Sequence, residues 1–189
     1  MRRSQWLPRQ LTMPSRKARR GVFIALTAVA LGAASACGSS GLSESDAAVG
    51  NCLKSTDKGQ KTTAFAKVDC SAPDAAYKVA EKLNSTSCPT VYGQYSPAKR
   101  KSRSKWSACL SLNAKVGDCF HQEVGFPTGR AAKVACGREA TYKITKVAEG
   151  RADVSACGSG ARKPAGNNLS GRIAFVYPKP ARTVCADKP

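Results

Sequence analysis

Nine cysteines are the residues of this sequence with the clearest capacity for chemistry. One, Cys37, closes an apolar N-terminal segment, and the other eight form two groups of four. The first two cysteines of each group are 18 residues apart in one case and 17 in the other. The two groups are Cys52, Cys70, Cys88 and Cys109, then Cys119, Cys136, Cys157 and Cys185.

In an exported protein, eight cysteines predict four disulfides. Four cysteines allow three pairings, so the count alone does not choose among them. The nearly constant spacing favours Cys52–Cys70 and Cys119–Cys136, which leaves Cys88–Cys109 and Cys157–Cys185. A crosslink that closes about 18 residues contributes roughly 3 kcal/mol in the chain-entropy model. Since halves this small have a limited core, we expect the cysteines to serve stability first.

The other reactive side chains do not form a catalytic or metal-binding pattern. His121 is the only histidine, so a histidine base has one candidate, and we interpret it as a surface residue. No cysteine pair has the short spacing of a zinc site. The carboxylates are scattered, without a pair whose separation can be argued. The sequence therefore predicts no enzyme, no metal and no cofactor. The carboxylates considered are Asp69, Asp74, Glu81, Asp118 and Glu123.

One short run is strongly basic and lies beside aromatic residues, with Tyr92 and Tyr95 before it. Charge and stacking together would suit a phosphate-bearing or sugar polymer, so the run is a candidate site for an anionic ligand. The alternative is a solvated loop whose aromatic residues face the core. The candidate site residues are Lys99, Arg100, Lys101, Arg103, Lys105 and Trp106.

The N-terminal segment has the pattern of an export signal. Its first 20 residues hold seven Arg and Lys and no acid, and the apolar run 21–31 follows. That run is too short to cross a hydrocarbon core about 30 Å thick. Ala34-Ser35-Ala36 fits ordinary signal peptidase, and with Cys37 it also resembles a bacterial lipobox, with Ala34 in place of the usual Leu. We predict a signal peptide at 1–36, lipidation of Cys37 and a flexible tether at 37–48.

The chain after residue 36 is strongly basic, with 24 Arg and Lys against 12 Asp and Glu. Such an excess predicts attraction to anionic surfaces, which outside a cell are wall polymers and phospholipid headgroups. Nucleic acid is excluded as a partner because the signal takes the chain away from it. The alternative is that the lysines only keep a small exported domain soluble.

Two landmarks recur in the same order and indicate a tandem repeat. Val49-Gly50-Asn51-Cys52 and Val116-Gly117-Asp118-Cys119 open the copies, and a Tyr-Lys-(Val/Ile) stretch follows in each. We predict a first cysteine repeat at 49–113 and a second at 114–189. Alternating residues predict mainly strands, with a short helix as an alternative for Ala76 to Leu83. The expected fold class is α+β, β-rich, with two small disulfide-stapled repeats behind an N-terminal signal helix.

The doubled cysteine pattern behind a lipobox-like cysteine resembles the LppU-type lipoproteins of actinobacteria. The resemblance covers about residues 49 to 189. Val116-Gly117-Asp118-Cys119-Phe120 is also similar to the exported septum-formation domains of the same bacteria. The resemblance implies a cell-envelope lipoprotein and no enzymatic activity.

Together these features predict a non-catalytic lipoprotein at the extracellular face of the cell membrane. Its partner would be an envelope protein or an anionic wall component. The alternative is a small secreted disulfide-rich inhibitor or effector, in which a rigid loop such as 92–105 contacts a protein target.

Overall fold

The computed structural model describes residues 42–56, 64–85, 87–97, 106–123, 130–165 and 168–189. Within these ranges the chain forms ten strands and one turn of 3-10 helix, Val154–Cys157. The strands are β1 (Cys52–Ser55), β2 (Phe65–Val68), β3 (Tyr77–Leu83), β4 (Gly93–Tyr95), β5 (Ser107–Leu112), β6 (Cys119–Gln122), β7 (Ala131–Val134), β8 (Tyr142–Glu149), β9 (Ile173–Pro178) and β10 (Ala181–Asp187).

The strands form two five-stranded antiparallel sheets with the same topology. The first sheet has the order β2-β1-β3-β5-β4, and the second has the order β7-β6-β8-β10-β9. Adding five to each strand number of the first sheet gives the second. The tandem repeat of the sequence is thus a repeat of the fold, with one sheet in each half.

The predicted α+β class is wrong: the described part of the chain is all-β. The stretch for which a short helix was an alternative is strand β3, and the reason is its burial pattern. Tyr77 and Val79 point inward while Lys78 between them is exposed, which is the period of a strand. Neighbouring strands on both sides also satisfy its backbone hydrogen bonds.

The two halves correspond residue by residue. Cys52 pairs with Val68 and Lys78 in the first sheet, and Cys119 pairs with Val134 and Lys143 in the second. Each third strand also carries one irregularity at the equivalent place, between Val79 and Glu81 in β3 and beside Ile144 in β8. Since even the irregularities coincide, one half serves as an internal comparison for the other.

A tight turn leads into each sheet. Asn51 N–H donates to Ala48 O at 3.1 Å, and the equivalent bond runs from Asp118 N–H to Lys115 O, also at 3.1 Å. The third turn residue is Gly50 or Gly117, with φ of 92° and 95°. A positive φ at this position is the mark of a type II turn and favours glycine. This requirement explains the glycine of the repeated Val-Gly-(Asn/Asp)-Cys motif.

The two sheets share one hydrophobic core, and both halves belong to one compact unit. Stacked and tilted rings join Phe120, Tyr142 and Phe175 within the second half. Across the halves, the rings of Tyr92 and Tyr177 lie 5.6 Å apart. Burial of large apolar side chains from both sheets against each other is the main stabilising contribution.

Hydrogen bonds between the halves fix their relative position. Tyr92 Oη accepts from Lys179 N–H and donates to Lys179 O, both at 2.8 Å. The Arg182 guanidinium donates to Leu112 O at 2.7 Å and to Ala114 O at 2.8 Å. These carbonyls belong to the segment that connects the first half to the second. Arg182 of the second half therefore fixes the position of that segment.

The four disulfides are those that the spacing favoured, and each stays within one half. They are Cys52–Cys70, Cys88–Cys109, Cys119–Cys136 and Cys157–Cys185. The first disulfide of each half joins the start of its sheet to the turn after the second strand. The second joins the last strand of its half, β5 or β10, to the segment between the third and fourth strands of that half. Four disulfides indicate an oxidising environment and accord with export.

Candidate functional site

A cleft of about 420 Å³ lies where the two halves meet. We call it the disulfide cleft. Its first wall is the turn of residues 70–73, and its second consists of residue 115, residues 117–119 and residues 133–136. Cys70 of the first half and Cys119 and Cys136 of the second all line it, so the first disulfide of each half reaches the same cleft.

The disulfides sit against the two equivalent turns. Cys70 Sγ lies 3.7 Å from Gly50 O, and Cys136 Sγ lies 3.5 Å from Gly117 O. Both outer cysteines, Cys70 and Cys136, are exposed. Because their sulfurs are oxidised, neither offers a thiolate for nucleophilic chemistry.

One ion pair forms part of the cleft wall. Lys133 Nζ lies 2.9 Å from Asp118 Oδ2, and their side chains are 12% and 26% exposed. Asp118 Oδ2 also accepts from Lys115 N–H at 2.8 Å, and Lys133 Nζ lies 6.0 Å from the ring of Phe120. In the first half Asn51 stands in place of Asp118. Its amide donates instead to Asp46 O at 3.0 Å, so the ion pair belongs to the second half alone.

Ser71, which lines the cleft, forms hydrogen bonds within its own turn. Ser71 Oγ donates to Asp69 Oδ1 at 2.7 Å, and the Ser71 N–H donates to the same oxygen at 2.8 Å. These bonds lower the pKa of the exposed Asp69 carboxyl. The imidazole of His121 lies on the exposed surface, where Nδ1 bonds Glu139 O at 2.9 Å. The arrangement orders a turn and does not pair a nucleophile with histidine.

The carboxylates named in the sequence analysis each contact a cation or a hydroxyl, and no two of them form a pair. Asp74 lies 2.9 Å from Lys54, and Glu123 lies 2.9 Å from Arg130. The pKa of Asp74 is lowered, first by its hydrogen bond from Lys54. Among the described residues no group of three or more metal-binding side chains could hold an ion.

Of the predicted anionic-ligand site, only Trp106 lies within the described residues. Its ring is 5% exposed, and Lys82 Nζ lies 5.4 Å from the ring centroid. Tyr92 and Tyr95 are buried as well, which places the aromatic residues in the core. The basic residues of that prediction, Lys99, Arg100, Lys101, Arg103 and Lys105, lie outside the described residues, as do Cys37 and the predicted signal peptide.

Sequence reasoning missed that each half has one strongly exposed valine. Val49 and Val116 are 63% and 67% exposed, the large apolar residues most open to solvent in the described part of the chain. They occupy equivalent positions of the two type II turns. The repeated Val-Gly-(Asn/Asp)-Cys motif contains both residues, but it does not show that they are exposed.

In its described residues the chain is a duplicated, all-β domain with four disulfides. Among the described residues, no helix is both long and apolar enough to cross a membrane. No family model, curated protein or solved structure matches the chain. The resemblance to LppU-type lipoproteins therefore stays a prediction from the sequence.

Proposed function

We propose that this protein is a cell-envelope lipoprotein that binds an anionic wall polymer without catalysing a reaction. In this proposal a lipid on Cys37 holds it at the extracellular face of the membrane. Of the predicted tether at 37–48, Leu42 and Ala47 are buried in the core, so in this proposal the tether is confined to residues 37–41.

The observation that carries the proposal is a large excess of cations on a disulfide-bonded domain. After residue 36 there are 24 Arg and Lys for 12 Asp and Glu. Among the described residues several lysines are exposed, including Lys67, Lys78 and Lys143. A surface of this kind attracts polyanions over a distance set by ionic strength.

The disulfides support the location. Four oxidised pairs suit a compartment outside the cytoplasm, where wall polymers are the abundant polyanions. A binding role also accounts for the site chemistry, in which Ser71 and His121 are engaged in local hydrogen bonds and not with each other.

Retention of the purified domain on isolated cell walls over a series of salt concentrations tests the binding function. We expect binding at low salt that weakens steeply as salt rises, because screening removes the attraction between charges. Retention that is insensitive to salt would point to a protein partner. Absence of retention at low salt would refute the proposal.

The anchor is tested separately by growing cells with labelled palmitate. We expect label in the wild-type protein and none in Cys37→Ala. A wild-type protein without label, recovered from the medium, would favour the secreted inhibitor or effector.

A further inference from the structure

Strand β9 forms one edge of the second sheet, and among the described strands it pairs with β10 alone. Ala174 N–H donates at 2.8 Å to Arg162 O, which lies outside the sheet, so the backbone groups of Ala174 point away from β10. Bonded and non-bonded positions alternate along an antiparallel pair of strands. The N–H and C=O of Val176, two residues on, therefore point to the same outer edge.

A short parallel pairing covers the first part of this edge and then stops. Arg162 N–H donates to Arg172 O at 3.2 Å, and Ala174 N–H returns the bond to Arg162 O. The next bond of a parallel ladder would run from the N–H of residue 164 to Ala174 O, but Pro164 has no N–H to give. Within the described residues, Ala174 O and both backbone groups of Val176 are consequently left without a hydrogen-bond partner.

The open stretch of β9 adjoins a groove of about 540 Å³, which we call the edge groove. Tyr92 Oη bonds both backbone groups of Lys179, just beyond the end of β9, and so holds the preceding residues of the first half beside this strand. Alternate residues of β9, Ala174, Val176 and Pro178, line the groove. Its other lining residues include Thr90, Val91, Lys163 and Pro164.

The lining of the edge groove indicates what kind of molecule it suits. Most of the described lining side chains are apolar, and Lys163 is the one charged residue among them. Lys163 is exposed and has no ion pair with a described residue. Ala174 O and Val176 O need donors, which a phosphodiester polymer does not provide, whereas Val176 N–H needs an acceptor. An extended peptide backbone supplies both, and an acidic side chain complements the lysine.

We propose that the edge groove binds an extended acidic peptide of a partner protein, which adds a strand to the outer edge of β9. Peptide N–H groups donate to Ala174 O and Val176 O, and a peptide carbonyl accepts from Val176 N–H. These main-chain bonds supply affinity, while an apolar side chain in the groove and a carboxylate at Lys163 supply specificity. The inference goes beyond the proposed function, since it adds a protein partner to the wall polymer.

The amide of Val176 reports directly on the open edge. In the free domain we expect this N–H to exchange with solvent deuterium at least about 100-fold faster than the N–H of Tyr177, which faces β10. Nuclear magnetic resonance resolves the two amides separately. A Val176 amide as slow as that of Tyr177 in the free domain would show that the edge is already covered, which would overturn the proposal.

Synthetic peptides with blocked ends serve as probes. Peptides of about seven residues span the open edge, and we would build them from Val and Thr with one Asp placed at each position in turn. At millimolar concentration at least one of them should slow exchange of the Val176 amide by about 10-fold or more. The same peptide with Asn in place of Asp should bind about 3-fold more weakly. Unchanged exchange with every peptide would refute the groove as a peptide site.

Val176→Pro removes the outward N–H and leaves the pairing with β10 intact, because an edge strand accepts proline where its N–H faces outward. We expect peptide affinity to fall by at least about 3-fold. Val176→Thr is the matched control, since it keeps the N–H and the branched shape, and should change affinity by less than about 2-fold. Equal affinities for these two variants, both with urea midpoints near that of wild type, would exclude pairing at this edge.

Lys163→Gln tests the charge. It should abolish the preference for the Asp peptide over the Asn peptide, whereas Lys188→Gln, at an exposed lysine outside the groove, should keep it. If Val176→Pro does not fold, exchange in the wild-type domain still decides. A domain that binds cell walls and no peptide would refute this inference alone, and one that binds peptide and no cell walls would refute the proposed function alone.

Discussion

Tyr77 and Ala131 join the two halves through a hydrogen bond, in which the Ala131 N–H donates to the phenol oxygen of Tyr77. Tyr77 lies on β3 in the middle of the first sheet, and Ala131 begins β7 at the edge of the second. Both residues are buried, so this N–H has no access to water as a substitute partner. A buried tyrosine of the first half thus supplies the hydrogen-bond acceptor for a backbone N–H on the edge strand of the second half.

Tyr77→Phe should therefore destabilise the protein by about 1–3 kcal/mol, because a buried N–H loses its acceptor while the ring remains. Urea unfolding followed by circular dichroism measures the loss. Tyr95→Phe is the matched control, since its phenol makes a long bond of 3.3 Å to Leu42 O. A loss for Tyr95→Phe equal to that for Tyr77→Phe would contradict the special role of the bond between the halves.

Arg182→Lys should cost about 2 kcal/mol. The guanidinium of Arg182 donates to Leu112 O and Ala114 O at the same time, and a single ammonium cannot reproduce that fork. Arg172→Lys is the control, because Arg172 is exposed and its Nε makes one long hydrogen bond, to Asp187 Oδ1 at 3.4 Å. The control should change stability by less than about 0.5 kcal/mol. Equal urea midpoints for the two variants would count against Arg182 as the residue that holds the connection.

Removal of the first disulfide of either half should have the same effect. Cys52→Ala with Cys70→Ala opens a loop with a separation of 18, and Cys119→Ala with Cys136→Ala opens one of 17. Each double variant should lose about 3 kcal/mol in the chain-entropy model. Denaturant unfolding of both variants under one set of conditions measures the difference. If the stability losses of the two variants differed by more than the expected loss for one disulfide, the first disulfides of the two halves would not contribute alike.

All five tyrosines should ionise only as the protein unfolds in alkali. Burial raises the pKa of Tyr77 to about 12, and it raises those of Tyr92, Tyr95, Tyr142 and Tyr177 as well. In the unfolded chain these phenols lose their protons near pH 10, whereas in the folded protein they keep them. The contribution of the buried, protonated tyrosines to the free energy of unfolding is therefore complete below pH 10 and is lost as pH rises towards 12.

Tyrosinate absorbance and circular dichroism measured over the same alkaline titration test this expectation. The two transitions should coincide, since ionisation must wait for exposure of the rings. Tyrosines that ionise near pH 10 in a domain with an unchanged circular dichroism spectrum would contradict it.

The sequence by itself determined the duplication and the two sets of four cysteines, and the spacing favoured, among three patterns, the pairing that the structure contains. These were readable because they depend on local spacing: a disulfide that joins the start of a sheet to the next turn sets a short, nearly constant separation. The glycine of each repeated motif was readable for the same reason, since a type II turn is decided by four neighbouring residues.

Only the tertiary structure decided the class of fold, the shared core and the disulfide cleft. Ala76 to Leu83 reads as strand or helix until β1 and β5 pair on either side of it. The sequence likewise placed Trp106 beside a basic run without showing that its ring is buried, and it did not reveal that Val49 and Val116 are exposed. Burial depends on which distant segments pack together, so a pattern of neighbouring residues leaves it open.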